Sequence, residues 1–366
     1  MLAHLEELKK NIEGDLYFDL TMRTLYATDA SVYRELPLAV ARPKHKQDVQ
    51  KIIAFANKYK IGIIPRTAGT SLAGQVVGKG IIVDVSKYFT EIYEINTKEK
   101  WVRLQPGIVL DELNKKLEPL NLFFGPETST SNRCMVGGMV GNNSCGSHSV
   151  IYGTTRDHLL EINGFLSDGS EVTFKSLNLE EYNAKLSLDN LEGNIYRFIN
   201  ETLTNKENQT EIRAEFPKPT INRRNTGFAI DVLLESAPFT EGKEAFNMCK
   251  LIAGSEGTLV FINDIKLNLI PLPPSIKGVV AVHLNTIAEA TRANLIALSH
   301  NPGAVELLDD IVLQCTKSSI EQSKNRAFVQ GDPGALLIVE WARETKEEIE
   351  ELAKTMEKEL RAAGYG

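Results

Sequence analysis

The residues of this 366-residue sequence best suited to chemistry are two stretches of exposed backbone rather than a set of charged groups. Residues 125–153 read GPETSTSNRCMVGGMVGNNSCGSHSVIYG, a run of Gly, Ser, Asn and Thr that suits neither a helix nor a strand. Gly137, Gly138, Gly141, Gly146 and Gly153 permit close backbone approach. Their N–H groups, with the hydroxyls of Ser129, Ser144, Ser147 and Thr154, suit phosphate oxygens or the polar edge of a ring system. A second loop of the same character, PRTAGTSLAGQVVGKG, occupies 65–80. Each loop interrupts strongly apolar segments, which is where a ligand cradle belongs and where a mobile surface connection does not. Two such loops predict one long, anionic, partly planar ligand, a dinucleotide.

Rival chemistries fit less well. Cys145 and His148, in Ser144-Cys145-Gly146-Ser147-His148, offer a thiol near an imidazole. Residues three apart rarely supply a separately oriented base, and there is no GxSxG elbow, so Cys145 reads as a small residue packed against a ligand. Gly78-Lys79-Gly80 lacks the Ser/Thr that a phosphate-hydrolysing loop places after its Lys. Six histidines show no metal-ligand spacing and the four cysteines no CxxC, so the thiols are expected to be reduced and no metal centre is expected. Glu306, Asp309, Asp310 and Glu340 offer carboxylates for acid–base work, but a helix start capped by Asp309 or Asp310 is the favoured reading. Arg223 and Arg224, beside Asn225, are weak catalytic candidates. They suit a bidentate carboxylate contact and a surface salt bridge equally.

The elements that must hold the loops follow from periodicity. Val49, Ile52, Ile53, Ala56 and Tyr59 recur at helical spacing over 46–60. Strands are predicted at 61–64, ended by Pro65, and at 81–85, so the 65–80 loop joins two core strands. A hairpin is expected over 91–105 and a helix over 108–118. A second hairpin pairs EINGFL with EVTF across Ser167-Asp168-Gly169. Residues 176–220 read as mixed and mainly helical. A helix at 243–252, the tetrad Gly254-Ser255-Glu256-Gly257 and a strand pair over 258–270 follow. Pro271-Leu272-Pro273-Pro274 reads as a linker. Beyond it, strands and helices alternate as in a small sheet with helices on one side, and the last helix stops near Gly364.

A formal charge of −7, with no basic stretch interleaved with aromatics, argues against a nucleic-acid partner. The N-terminal MLAHLEELKKNIEGDL is an amphipathic, acid-bearing helix and not a leader, and no run is long enough to cross a membrane. A cytoplasmic chain, or one held peripherally at the inner membrane, is expected.

Taken in order, the motifs resemble a known family. Pro65-Arg66-Thr67-Ala68-Gly69-Thr70-Ser71-Leu72-Ala73-Gly74-Gln75, Gln105-Pro106-Gly107, Pro126 to Ser129, Gly137-Gly138 to Gly146, Tyr152-Gly153 and Gly254-Ser255-Glu256-Gly257-Thr258-Leu259 resemble the FAD-linked oxidases of the vanillyl-alcohol-oxidase and p-cresol-methylhydroxylase (PCMH) type. NNSCGSHSVIYGTTRDH and RRNTGFAID are most similar to the D-2-hydroxy acid dehydrogenases, acting on D-lactate, glycolate or D-2-hydroxyglutarate, in their fused iron–sulfur forms. The resemblance implies an α+β fold: an N-terminal helical segment (1–35), a PCMH-type FAD-binding domain of two α+β subdomains (36–272), and an incomplete ferredoxin-like antiparallel substrate or cap domain (273–366).

The same resemblance implies non-covalent FAD. Its expected contacts are Pro65, Arg66, Thr67, Ala68, Gly69, Thr70, Ser71, Gly74, Gln75, Pro106, Gly107, Pro126, Glu127, Thr128 and Ser129. They continue with Val136, Gly137, Gly138, Gly141, Asn142, Asn143, Ser144, Cys145, Gly146, Ser147, Tyr152, Gly153, Thr154, Glu256, Gly257, Val260 and Ile262. The implied reaction is oxidation of a 2-hydroxy acid to a 2-oxo acid by hydride transfer to flavin N5, with electrons leaving to an iron–sulfur partner or quinone. The substrate-binding Arg, the metal-binding His pair and the active-site His of that family are not found here. The expectation is therefore a piece of a longer protein that binds FAD but turns over 2-hydroxy acids poorly or not at all. An NADPH-dependent reductase of the same fold and a non-catalytic nucleotide-binding module are the alternatives.

Overall fold

The computed structural model describes residues 1–221, 223–224 and 227–365, and the statements below refer to these. The chain divides into two compact units, Met1–Gly146 with Gly153–Ile270, and Ser147–Tyr152 with Pro271–Gly366.

The first unit is built on two sheets. In the four-stranded sheet, Asp15–Tyr17 pairs antiparallel with Ala39–Arg42, which pairs in parallel with Ile81–Asp84, itself parallel to Ile63–Arg66. Ile81, Ile82 and Val83 are wholly buried, as expected of a central parallel strand covered on both faces. The predicted strand at 61–64 is displaced: it runs from Ile63 through Pro65 to Arg66. Pro65 does not end it because the strand lies at the sheet edge, where a missing N–H costs nothing. Helix Lys46–Tyr59 lays Val49, Ile52, Ile53 and Ala56 on this sheet and closes at Lys60, a left-handed cap.

The second sheet is antiparallel, with the order Ile92–Asn96, Trp101–Leu104, Phe261–Asn268, Leu159–Phe165, Glu171–Phe174. Both predicted hairpins lie in it. The strand pair predicted over 258–270 is instead one strand, Phe261–Asn268, alternately buried and half-buried between two partners. The 176–220 region folds into helices Leu179–Leu186, Leu191–Thr204 and Lys206–Glu215. The helix predicted at 243–252 shrinks to Cys249–Ile252, because Phe246 and Asn247 pair with Leu177 and Ser176 as a short ladder.

Asp48, wholly buried near the start of helix Lys46–Tyr59, ties the N-terminal segment to this unit. Its carboxylate accepts the N–H groups of Glu13 (2.9 Å), Gly14 (2.8 Å) and Lys44 (3.0 Å). Burial alone would raise its pKa, but the three N–H donors outweigh burial and hold it below its ordinary 3.8. Asp48→Ala should destabilise the protein by about 3 kcal/mol in urea unfolding, since three N–H groups lose their hydrogen bonds to a buried charged acceptor. Because the folded-state pKa is lowered, this stabilisation is present above about pH 4 and is lost as pH falls through the native value. The gap between wild type and Asp48→Ala should therefore narrow in acid, and an unchanged gap would contradict the assignment.

The second unit is an antiparallel three-stranded sheet, Ile276–Leu284, Ala335–Arg343, Ala304–Asp309. Ala335, Leu337, Val339 and Trp341 form its apolar side. They pack with Ala290, Ala293 and Ala297 of helix Ile287–Ser299 and with Met356 and Leu360 of helix Lys346–Ala362. Asp309 caps helix Asp310–Ser318, accepting the Val312 N–H at 2.8 Å, and Gly364 takes φ 84° beyond the last helix. Ser147–Tyr152 folds with this unit, where His148 Nε2 lies 3.2 Å from Glu340 Oε1.

Candidate functional site

A cavity of about 940 Å³ opens within the first unit, at the upper end of the range for small-molecule sites. Its first wall is the loop leaving the C-terminal end of strand Ile63–Arg66, the end of a parallel strand where open α/β sheets place ligands. Arg66 Nη1 donates to the Thr28 carbonyl at 2.9 Å, and the guanidinium lies over the Tyr26 ring, 5.1 Å from its centroid. Gly69, at φ 68°, fits tightly against it, since a Cβ there would lie 2.5 Å from Nη2. Among the described residues Arg66 has no ion-pair partner. Burial pushes its pKa down, against the pull of Tyr26, Asp84 and Asp29. A guanidinium nonetheless stays protonated in a protein, so the cavity holds a desolvated positive charge that a phosphate can neutralise.

The second wall comes from 128–145. Contrary to the expectation of an irregular loop, Val136–Asn142 is helical. Val136, Met139 and Val140 bury at i, i+3 and i+4, enough apolar anchorage to offset the poor propensity of its glycines. The helix start is fixed by Val136 N–H to Ile108 O (2.9 Å) and Gly137 N–H to Pro106 O (2.8 Å). A Cβ on Gly137 would sit 2.4 Å from the Pro106 ring.

The third wall is the Gly254–Gly257 turn and the strand after it. Gly254 N–H donates to Val140 O (3.0 Å) and Glu256 N–H to Gly141 O (2.9 Å), so the carbonyls ending the short helix hold the turn. Gly254, Glu256 and Gly257 all adopt positive φ, at 90°, 56° and 76°. Behind the turn lies Arg156, 7% exposed. Its Nε donates to Lys250 O (2.8 Å), its Nη2 to Ala253 O (2.6 Å), and its N–H to Asn143 Oδ1 (2.8 Å). Burial lowers its pKa, with Asp157 and Asp231 pulling the other way.

Of the expected contacts, Pro65 to Ser71, Gln75, Pro106, Thr128, Ser129, Gly137, Gly138, Gly141, Asn142, Ser144, Cys145, Glu256, Gly257, Val260 and Ile262 line this cavity. Gly74, Gly107, Pro126, Glu127, Val136, Asn143, Gly146, Gly153 and Thr154 do not line it, and Ser147 and Tyr152 fold with the second unit. Several of these serve the walls: Thr154 joins Asp157 in a capping box, and Asn143 accepts from Arg156. Arg224 is taken up by Asp231 (2.5 Å) and the Pro217 carbonyl, Arg223 is exposed, and neither lines the cavity. Asn225 lies outside the described residues. Sequence reasoning missed Leu25, Thr28, Asp29, Ala30 and Arg133. TDAS at 28–31 carried a weak turn signal, but no periodicity or glycine pattern pointed to a ligand.

These three walls enclose the cavity, and residues 37–175 match the FAD binding domain family. That match and the similarity to FAD-linked dehydrogenases reported next support FAD as the cofactor. The chain is 35% identical over 362 residues to a D-2-hydroxyglutarate dehydrogenase of Haemophilus influenzae, covering 96% of this chain and 34% of that protein. It is 31% identical over 359 residues to the enzyme of that name from Escherichia coli K12, again covering 96% of this chain and 34% of the relative. The chain thus spans about a third of the length of these relatives. A solved alkyldihydroxyacetonephosphate synthase shares the fold at TM-score 0.65 and 16% identity, covering 100% of this chain and 61% of that one.

Proposed function

We propose that this chain holds the FAD of a dehydrogenase that oxidises a D-2-hydroxy acid to the 2-oxo acid, with D-2-hydroxyglutarate the first substrate to test. The observation that carries this reading is a glycine-walled cavity with a guanidinium that has no ion-pair partner among the described residues, in a chain similar over 96% of its length to a D-2-hydroxyglutarate dehydrogenase. The residues present fit the cofactor. Arg66 and the N–H groups of 67–71 suit the pyrophosphate, and Gly137, Gly138 and Gly141 let the backbone of the second wall approach it closely. The backbone at 256–262 offers donors and acceptors for the polar edge of a ring. This reading assigns no side chain to a covalent link, and the FAD is held non-covalently. FAD supplies a hydride acceptor when bound; the protein orients it and limits the water that reaches it. Electrons pass on to an iron–sulfur partner or quinone. None of the helices is long and apolar enough to cross a membrane among the described residues, and the cytoplasm or the inner-membrane surface is the proposed location.

The test is anaerobic mixing of the FAD-loaded protein with D-2-hydroxyglutarate, D-lactate, glycolate and NADPH, both as this chain and at the length of its relatives. The chain is expected to keep its visible flavin absorbance through desalting. At the relatives' length, D-2-hydroxyglutarate should bleach it and NADPH should not. Bleaching by NADPH alone would favour the reductase alternative, and a colourless protein would leave only a nucleotide-binding module.

A further inference from the structure

The match to the FAD binding domain begins at residue 37, yet Leu25, Thr28, Asp29 and Ala30 also wall the cavity. This upstream segment is fastened to the pyrophosphate loop at several points. Ala30 N–H donates to Gly69 O (3.2 Å), Arg66 donates to Thr28 O (2.9 Å), and the Tyr33 ring lies where a Cβ on Gly74 would be 2.6 Å away. The segment also folds on itself, through Glu35 N–H to Ala27 O (2.9 Å) and a bridge between Thr28 and Arg34. Asp29 stands where these contacts converge. Its Oδ1 accepts the Ser31 N–H at 2.9 Å, while its buried Oδ2 has no hydrogen-bond partner among the described residues.

A carboxylate oxygen removed from water and left unpaired is costly, and a ligand donor offsets that cost. A phosphate cannot be its partner, because like charges repel; the adjacent Arg66 takes that role. The donors FAD offers are its hydroxyls, its adenine amine and its ring N–H. We propose that Leu25–Glu35 is a working part of the cofactor site, with the Asp29 carboxylate accepting a hydrogen bond from a hydroxyl or amine of the dinucleotide. This inference rests on the cavity taking FAD.

The experiment is titration of FAD into cofactor-free wild type, Asp29→Asn and Asp29→Ala by fluorescence quenching, with limited proteolysis at Arg23 and Arg34 in parallel. Asp29→Ala should weaken FAD binding by about tenfold to a hundredfold, the size expected for a hydrogen bond to a charged group. Asp29→Asn, which keeps an acceptor oxygen but loses the charge, should fall between. FAD should slow cleavage within 23–35 in wild type and much less in Asp29→Ala. Circular dichroism separates lost affinity from lost fold, and if the alanine variant does not fold, the near-isosteric asparagine variant decides. Wild-type affinity in both variants, or cleavage that FAD leaves unchanged, would overturn this inference while the FAD assignment stood. A wild type that binds no FAD would overturn both.

Discussion

Arg66→Met is expected to weaken FAD binding roughly a hundredfold or more, while the cofactor-free protein loses little stability. The affinity loss follows from removing a cation that lines the cavity without a carboxylate partner among the described residues; truncating one side of a buried charge pair costs about 2–5 kcal/mol. The stability result follows from the same fact. In the free protein the guanidinium is desolvated and has no ion-pair partner among the described residues, so its removal relieves a penalty that offsets the lost bond to Thr28 O. Isothermal titration with FAD and thermal melts of both cofactor-free proteins read the two effects separately. Arg66→Lys should restore only part of the affinity, because an ammonium cannot both lie flat on Tyr26 and reach the Thr28 carbonyl. If Arg66→Met bound FAD as wild type does, the cradle's charge would have to come from elsewhere, Arg133 being the remaining basic residue in the described lining.

Arg156→Met should act in the opposite proportion, with a loss of about 3–5 kcal/mol in folding stability and a secondary loss of cofactor. Two of its side-chain donors reach backbone carbonyls, Lys250 O, which is half-buried, and Ala253 O, which is wholly buried. Methionine fills much of the volume but donates nothing, so these acceptors are left unsatisfied. The Gly254–Gly257 turn would keep its two bonds to Val140 and Gly141 but lose its support from behind. Urea unfolding should show the lower midpoint, and saturating FAD should recover part of it by mass action. A variant as stable as wild type would mean that water reaches these carbonyls.

The legible part of the site was the part written in glycine. Gly69, Gly137, Gly138, Gly141 and Gly257 stand out in the sequence because glycine at that density weakens any helix or strand and is useful mainly where backbone must come close to something, and all five stand along the cavity. Apolar periodicity placed the helix over 46–60 and the strand over 81–85, since those segments bury one face or both. What stayed hidden depends on contacts distant in sequence. Nothing local reveals that Asp29 meets the loop at 66–69, or that Arg156 reaches across to Lys250 and Ala253. The short helix Val136–Asn142 was missed because its propensity is poor and its three buried anchors count only once a core exists to receive them. The ladder of Ser176–Leu177 with Phe246–Asn247 displaced a predicted helix for the same reason.

The assignment of Ser147–Tyr152 to the second unit bears on the order of events as the chain leaves the ribosome. These six residues emerge more than a hundred positions before Pro271, where the rest of their unit begins. The first unit can complete its four- and five-stranded sheets once Asn268 is made, but the second must wait for a long segment to join a hexapeptide synthesised far earlier. Such a closure carries the entropy of a long loop, so the second unit should fold last. A break in the chain at 270/271 would therefore not separate two complete halves: one product would carry an orphaned hexapeptide, and the other would lack it.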